Sequence, residues 1–175
     1  YLDQRVINTP PIAITLARKE LIRMGELAKD NLNHAMTAFI KKDKEMIKEV
    51  SDVEDVIDEL EKSITEYLTQ ISQKGLTNEN SIIITGLLHA VNDIERVGDH
   101  AQNIVEYAES CIEDNINFST FAIKELSEMH SLVSETFNIS LQALKENSIV
   151  KAERVIKNES KIDEMEKSLR RSHIG

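Results

Sequence analysis

Val50, Val53, Ile57, Leu60, Ile64, Leu68 and Ile71 follow one another at intervals of three and four residues. That spacing lines them along one side of a helix and leaves the polar residues on the other. A second stripe, Leu87, Val91, Ile94, Gly98, Ala101, Val105 and Ala108, is nearly a heptad, and its small members Gly98 and Ala101 would let a neighbouring helix approach closely. Caps and breakers punctuate the stripes. Thr9 with Pro10 and Pro11 predicts the start of a helix running to about Ile40; Asp43 caps a second that ends near Lys74-Gly75; and Thr77 to Asn80 open a third. The run Asp114 to Asn117 interrupts the pattern, and two further helices are predicted over Ser119–Lys145 and Ser148–Arg171 with Asn147 as the cap between them.

The pattern is duplicated. Residues 159–168, ESKIDEMEKS, match residues 54–63, EDVIDELEKS, at seven of ten positions and at an offset of 105. The register extends outside that segment: Met24 aligns with Met129, Leu27 with Leu132, Ala38 with Ala143 and Ile57 with Ile162. A counterpart of residues 87–108 would fall at 192–213, past Gly175. The expected architecture is therefore all-α, built from antiparallel up-down three-helix bundles in tandem: a linker over residues 1–11, a first three-helix repeat over 12–113, and the first two helices of a second repeat over 118–175. Such a half-repeat leaves the stripe of Val155, Ile162, Met165 and Leu169 without its cover. That face is expected to pair with another chain, as in a homo-oligomer, or to be poorly ordered.

Composition agrees with helices: 41% of residues are hydrophobic and 30% charged, with five Gly, two Pro and no Trp. A formal net charge of −10 argues against a nucleic-acid partner or an anionic membrane surface, which need clustered Lys and Arg, and favours cations or basic partners. The single cysteine, Cys111, has no internal disulfide partner and reads as a small apolar residue in a reducing compartment. The strongest apolar run, Ile82 to Val91, is interrupted by Thr85, Gly86 and His89 and is too short to span a membrane. The start at Tyr1 rather than Met reads as the excised or processed end of something longer.

Candidate chemistry lies in carboxylates four residues apart: Glu54 with Asp58, Glu95 with Asp99, and Glu159 with Asp163. Chance alone gives about five acidic pairs at this spacing in so acidic a chain, so a single pair reads first as a solvated helix face. Recurrence at the repeat offset, and placement one position past a stripe residue on two helices, make the first four carboxylates a candidate constellation. If the second and third helices pair in the right register, these four converge at one edge of the seam, and their repulsion is answered by a cation or by protonation. Oxygen-only ligation suits Mg, Ca, Mn or oxidised iron better than Zn or Cu. Asn92 and Gln102 share that face and are either further oxygen donors or solvated side chains. His100 points about 100° away from Asp99 and reads as a surface or packing residue. No histidine stands three residues after a glutamate, so the Glu-x-x-His motif of oxygen-activating dimetal bundles is missing, as are phosphate-loop, nucleophile-elbow and zincin motifs. Catalysis is not indicated.

The segment ERVGDHAQNIVE, Glu95 to Glu106, resembles the PhoU family of phosphate-signalling proteins. The family's third-helix motif, E-R-[IV]-G-D-H-A-x-N-I, is matched by Glu95, Arg96, Val97, Gly98, Asp99, His100, Ala101, Asn103 and Ile104, and its second-helix form recurs at Glu54-x-x-x-Asp58 and Glu159-x-x-x-Asp163. The lead-in, LDQRVINTPPIAITLARKELIRMGELA, looks like the connection into the PhoU-like C-terminal domain of bacterial sodium/phosphate cotransporter-related proteins. This resemblance implies a noncatalytic regulatory domain at the cytoplasmic face of the cell membrane, with a transporter membrane domain upstream in the same protein as its partner. It also implies bound metal, iron or Mg, Mn, Ca or Zn, in multinuclear clusters, with Glu54, Asp58, Glu95, Asp99, Glu159 and Asp163 as ligands. A fourth motif near residue 200 has no counterpart here, so Glu159 and Asp163 make half a site.

Overall fold

In the computed structural model, which describes residues 2–173 and the side chains of 2–172, a short 3-10 turn at Gln4–Val6 precedes five α-helices. They are α1 (Pro10–Lys41), α2 (Lys44–Ser72), α3 (Asn78–Glu113), α4 (Thr120–Glu146) and α5 (Ile149–His173). The described residues contain no strand. Expectations resting on Tyr1 and Gly175 lie outside the described residues.

The ends form where local chemistry satisfies the free backbone groups. Asp43 accepts from the N–H groups of Glu45 and Met46, Thr77 from that of Asn80 and Ser119 from that of Ala122. Thr9 is the exception, because its side chain makes no capping bond. Pro11 removes the N2 donor, and the N–H of Ile12, the other group a cap would serve, goes to the Thr9 carbonyl at 3.0 Å. The duplication is visible in the turns as well. Lys42 and its counterpart Asn147 both take the left-handed conformation (φ 55° and 53°), and the residues that follow, Asp43 and Ser148, both cap the next helix.

Helices α1, α2 and α3 pack against one another around Leu21, Met24, Ile57, Ile64, Leu68 and Val91, with a second cluster around Ala35, Phe39, Val50 and Val105. The buried Asn31 amide donates to the Val50 carbonyl at 3.0 Å, tying α1 to α2 inside the bundle. Cys111 is buried and unpaired, as its packing reading requires. Helix α4 lies on α1, whereas α5 touches only α4 among the described residues. Along the α1–α4 contact, Gly25 meets Leu141 while Asn33 meets His130 and Ser134, so the two helices run antiparallel.

Candidate functional site

One hydrogen bond sets the register of the α2–α3 seam. The Ser51 hydroxyl donates to Gln102 Oε1 at 2.9 Å, and Gln102 in turn donates through Nε2 to Glu106. Because the helices are antiparallel, stepping one turn along each from that bond brings Glu54 opposite Asp99, and a second turn brings Asp58 opposite Glu95. The close packing at Gly98 locks this pairing: a Cβ built there would lie 3.2 Å from Ile57 Cγ2, and Ile57 is fully buried. The convergence that spacing alone only permitted is thus a consequence of one polar pair and one glycine.

The electrostatics agree with this register. Glu54 is pushed up to about 7, first by burial and then by the charge of Asp58, a hydrogen bond with it, and the charges of Asp99 and Asp55. The Glu95 carboxyl is also held above its ordinary value, by burial, then by Asp99, Asp58 and Glu61, with Arg96 opposing. Each acid therefore senses the acids of the facing helix. Compensating positive charge is thin: Lys62 stands 3.7 Å from Asp58 and is largely exposed. As the side chains stand, no group of three or more His, Cys, Asp or Glu among the described residues is arranged to hold a metal ion. Glu54 and Asp58 share a hydrogen bond instead. The donor set itself, four carboxylates with little neutralising charge, has the chemistry of a hard-cation site.

Glu159 and Asp163 are placed differently. Both are exposed on α5, Glu159 at the edge of a groove, and among the described helices α5 packs against α4 alone. Asn92 and His100 are exposed, and His100 lines the same groove. Sequence reasoning passed over Ser51, Glu61 and Lys62. Ser51 lies one turn beyond the α2 motif on the same face, opposite the Gln102 already placed beside the α3 motif, so the antiparallel register points to it.

The family description "PhoU domain" matches residues 21–108 and 126–175, well over half of the chain. The chain belongs to the PhoU family. The phosphate-specific transport system accessory protein PhoU homolog 1 of Thermotoga maritima is 31% identical over 160 residues, covering 90% of this chain and 68% of that protein. A PhoU homolog of the same description from Clostridium acetobutylicum is 29% identical over 86% of this chain and 68% of its own length. A more distant match, 20% identical, covers 99% of this chain but 32% of the Escherichia coli K12 protein YjbB, provisionally named as an inorganic phosphate export protein. Within this chain the second matched region holds α4 and α5. No helix among the described residues is long and apolar enough to cross a membrane.

Proposed function

We propose that this PhoU domain is a noncatalytic regulator of phosphate transport that binds a hard cation across the α2–α3 seam and acts on a transporter by docking. The observation that carries the metal reading is the register that sets Glu54 against Asp99 and Asp58 against Glu95. Glu54, Asp58, Glu95 and Asp99 would hold the ion, which takes over from a shared proton the work of offsetting four crowded charges. Iron, Mn, Mg, Ca or Zn ions, singly or as a cluster, match the all-oxygen set to differing degrees, with the harder ions favoured. Glu159 and Asp163 contribute a further half-site.

The regulatory part rests on the names of the relatives, which are accessory proteins of phosphate-specific transport. Attachment to a sodium/phosphate cotransporter-related membrane domain is supported by the match that occupies about a third of a protein named for phosphate export. Such a domain would work at the cytoplasmic face of the membrane. Elemental analysis of protein purified without chelator tests the metal. Bound metal is expected in the unaltered chain and not in a Glu54→Gln/Asp58→Asn/Glu95→Gln/Asp99→Asn variant; no metal in either, after loading with each of the five ions, rejects it.

A second reading is a metal-free interaction module whose acidic edge meets a basic surface of the transporter. The lack of a ready three-ligand arrangement among the described residues and the Lys62–Asp58 ion pair favour it. The two separate in a binding assay with transporter-containing membranes: a chelator weakens docking under the first reading and leaves it unchanged under the second.

A further inference from the structure

Four aliphatic side chains stand in water near helix starts: Ile12 on α1 (51% exposed), Ile82 on α3 (72%), and Ile149 and Val150 on α5 (77% and 76%). They belong to one end of the molecule. Gly25 meets Ile94 and Phe39 stacks on Tyr107, so α1 and α3 run parallel, and counting back about 12 residues sets Ile82 level with Ile12 and Ala13. Gly25 also meets Leu141, and because α4 runs against α1, the turn after α4 brings Ile149 within about two turns of the first residues of α1. No open seam accounts for the four. At the repeat offset of 105, Ile149 and Val150 correspond to Lys44 and Glu45, which are exposed although α3 is in place in that repeat. Ile12 and Ile82 belong to the first repeat itself, and none of the four lines the groove between α3, α4 and α5. The opposite end differs: its most exposed apolar residue, Phe121 (63%), corresponds to the half-buried Leu16, and Tyr107 lines the groove.

We infer that the end carrying Ile12, Ile82, Ile149 and Val150 rests on a phospholipid bilayer, with these four side chains entering its interface. The inference rests on the reading that the domain works at the cytoplasmic face of a membrane, and it specifies which end faces the lipid. The four residues project from three separate segments and form no concavity, so a rigid protein surface would need matching pits, whereas a fluid interface closes around each side chain. Charge permits the approach. Residues 2–20, 66–83 and 142–153, which make up this end, hold six Lys and Arg and six Asp and Glu, so the net −10 of the chain lies elsewhere. Lys19, Lys74 and Lys145 are exposed here and can lay their aliphatic stems along the interface with the ammonium groups among phosphates. The lead-in is fastened to the same end, through buried Ile7 and the Tyr67 hydroxyl, which donates to the Asp3 carbonyl at 2.8 Å. A membrane domain preceding it, as proposed above, would lie on this side.

Flotation of the 175-residue protein with phosphatidylcholine vesicles, with and without phosphatidylglycerol, tests the inference. Binding to phosphatidylcholine alone is expected. Phosphatidylglycerol should weaken it at low ionic strength, by repulsion from the acidic remainder, and about 0.5 M salt should restore it. Ile12→Ser/Ile82→Ser and, separately, Ile149→Ser/Val150→Ser should each lower the partition coefficient at least about fivefold, with circular dichroism unchanged because all four residues are exposed. Phe121→Ser, at the opposite end, should leave partitioning as it was. Chelator should have no effect, and docking to a transporter is measured separately, so this inference and the reading beneath it fail independently. Three results would overturn it: no flotation with either vesicle, flotation removed by Phe121→Ser and not by the other variants, or binding confined to transporter-containing membranes, which would make a protein the partner.

Discussion

At Glu54 two effects act in the same direction: α2 half-buries the carboxyl, and Asp58 and Asp99 crowd it with negative charge. Its folded value of about 7 lies above the 4.5 of a free glutamate, so the folded chain holds a proton there that the unfolded chain has released. Stability from this group is therefore fully present below about pH 4.5 and is lost as pH rises through about 7. His130 works in the opposite sense. Burial beside Asn33 lowers its value, so its protonation below about pH 6.5 favours the unfolded chain. The comparison that isolates the seam is Glu54→Gln against the unaltered protein, both with chelator present. Urea unfolding should find the variant more stable at pH 8 by about 1 kcal/mol, after allowance for solvent screening, and the two alike at pH 4.5. A variant no more stable at pH 8 would mean that the carboxylates do not sense one another.

Among the helices, the seam between α2 and α3 depends on Gly98. The added Cβ would press on Ile57, a buried β-branched side chain with essentially one rotamer in a helix, so the backbone has to give. Gly98→Leu should cost about 1–3 kcal/mol in thermal or urea unfolding and should also part the facing carboxylates. At Gly25 a Cβ meets the far end of Leu141 on α4, a flexible side chain at the groove. Gly25→Ala should therefore shift Leu141 and loosen the α1–α4 contact at smaller cost to the first bundle. A third prediction concerns the turns: Asp43→Ala removes an acceptor that serves two backbone N–H groups and should cost about 1 kcal/mol. Ser148→Ala loses one longer bond, at 3.3 Å, and should cost less. The elements themselves were legible, because stripe, cap and breaker agreed at Asp43, Thr77, Ser119 and Asn147. Thr9 does open α1, but without a side-chain cap, since Pro11 lacks a donor and the Ile12 N–H bonds the Thr9 carbonyl.

For the molecule as a whole, the duplication is the most informative feature. It extends from a ten-residue match to the left-handed turns at Lys42 and Asn147, and it divides the acidic motifs into a facing set on α2 and α3 and an unopposed pair on α5. Spacing identified which carboxylates share a face, but not that they meet across the seam. That depends on inter-helix register, which Ser51, Gln102 and Gly98 fix through side-chain contacts remote in sequence. The antiparallel seating of α4 on α1 was likewise beyond reach, because it turns on small contacts such as Gly25 with Leu141 rather than on any repeated pattern. The proposed cation site at the α2–α3 edge is the reading on which the rest depends. Isothermal titration of Mn²⁺ into chelator-stripped protein tests it most directly, at pH 6 and pH 8. Saturable binding is expected, tighter at pH 8 as Glu54 ionises and abolished in the Glu54→Gln/Asp58→Asn/Glu95→Gln/Asp99→Asn variant. No saturable binding at either pH, or binding that survives in that variant, would contradict it.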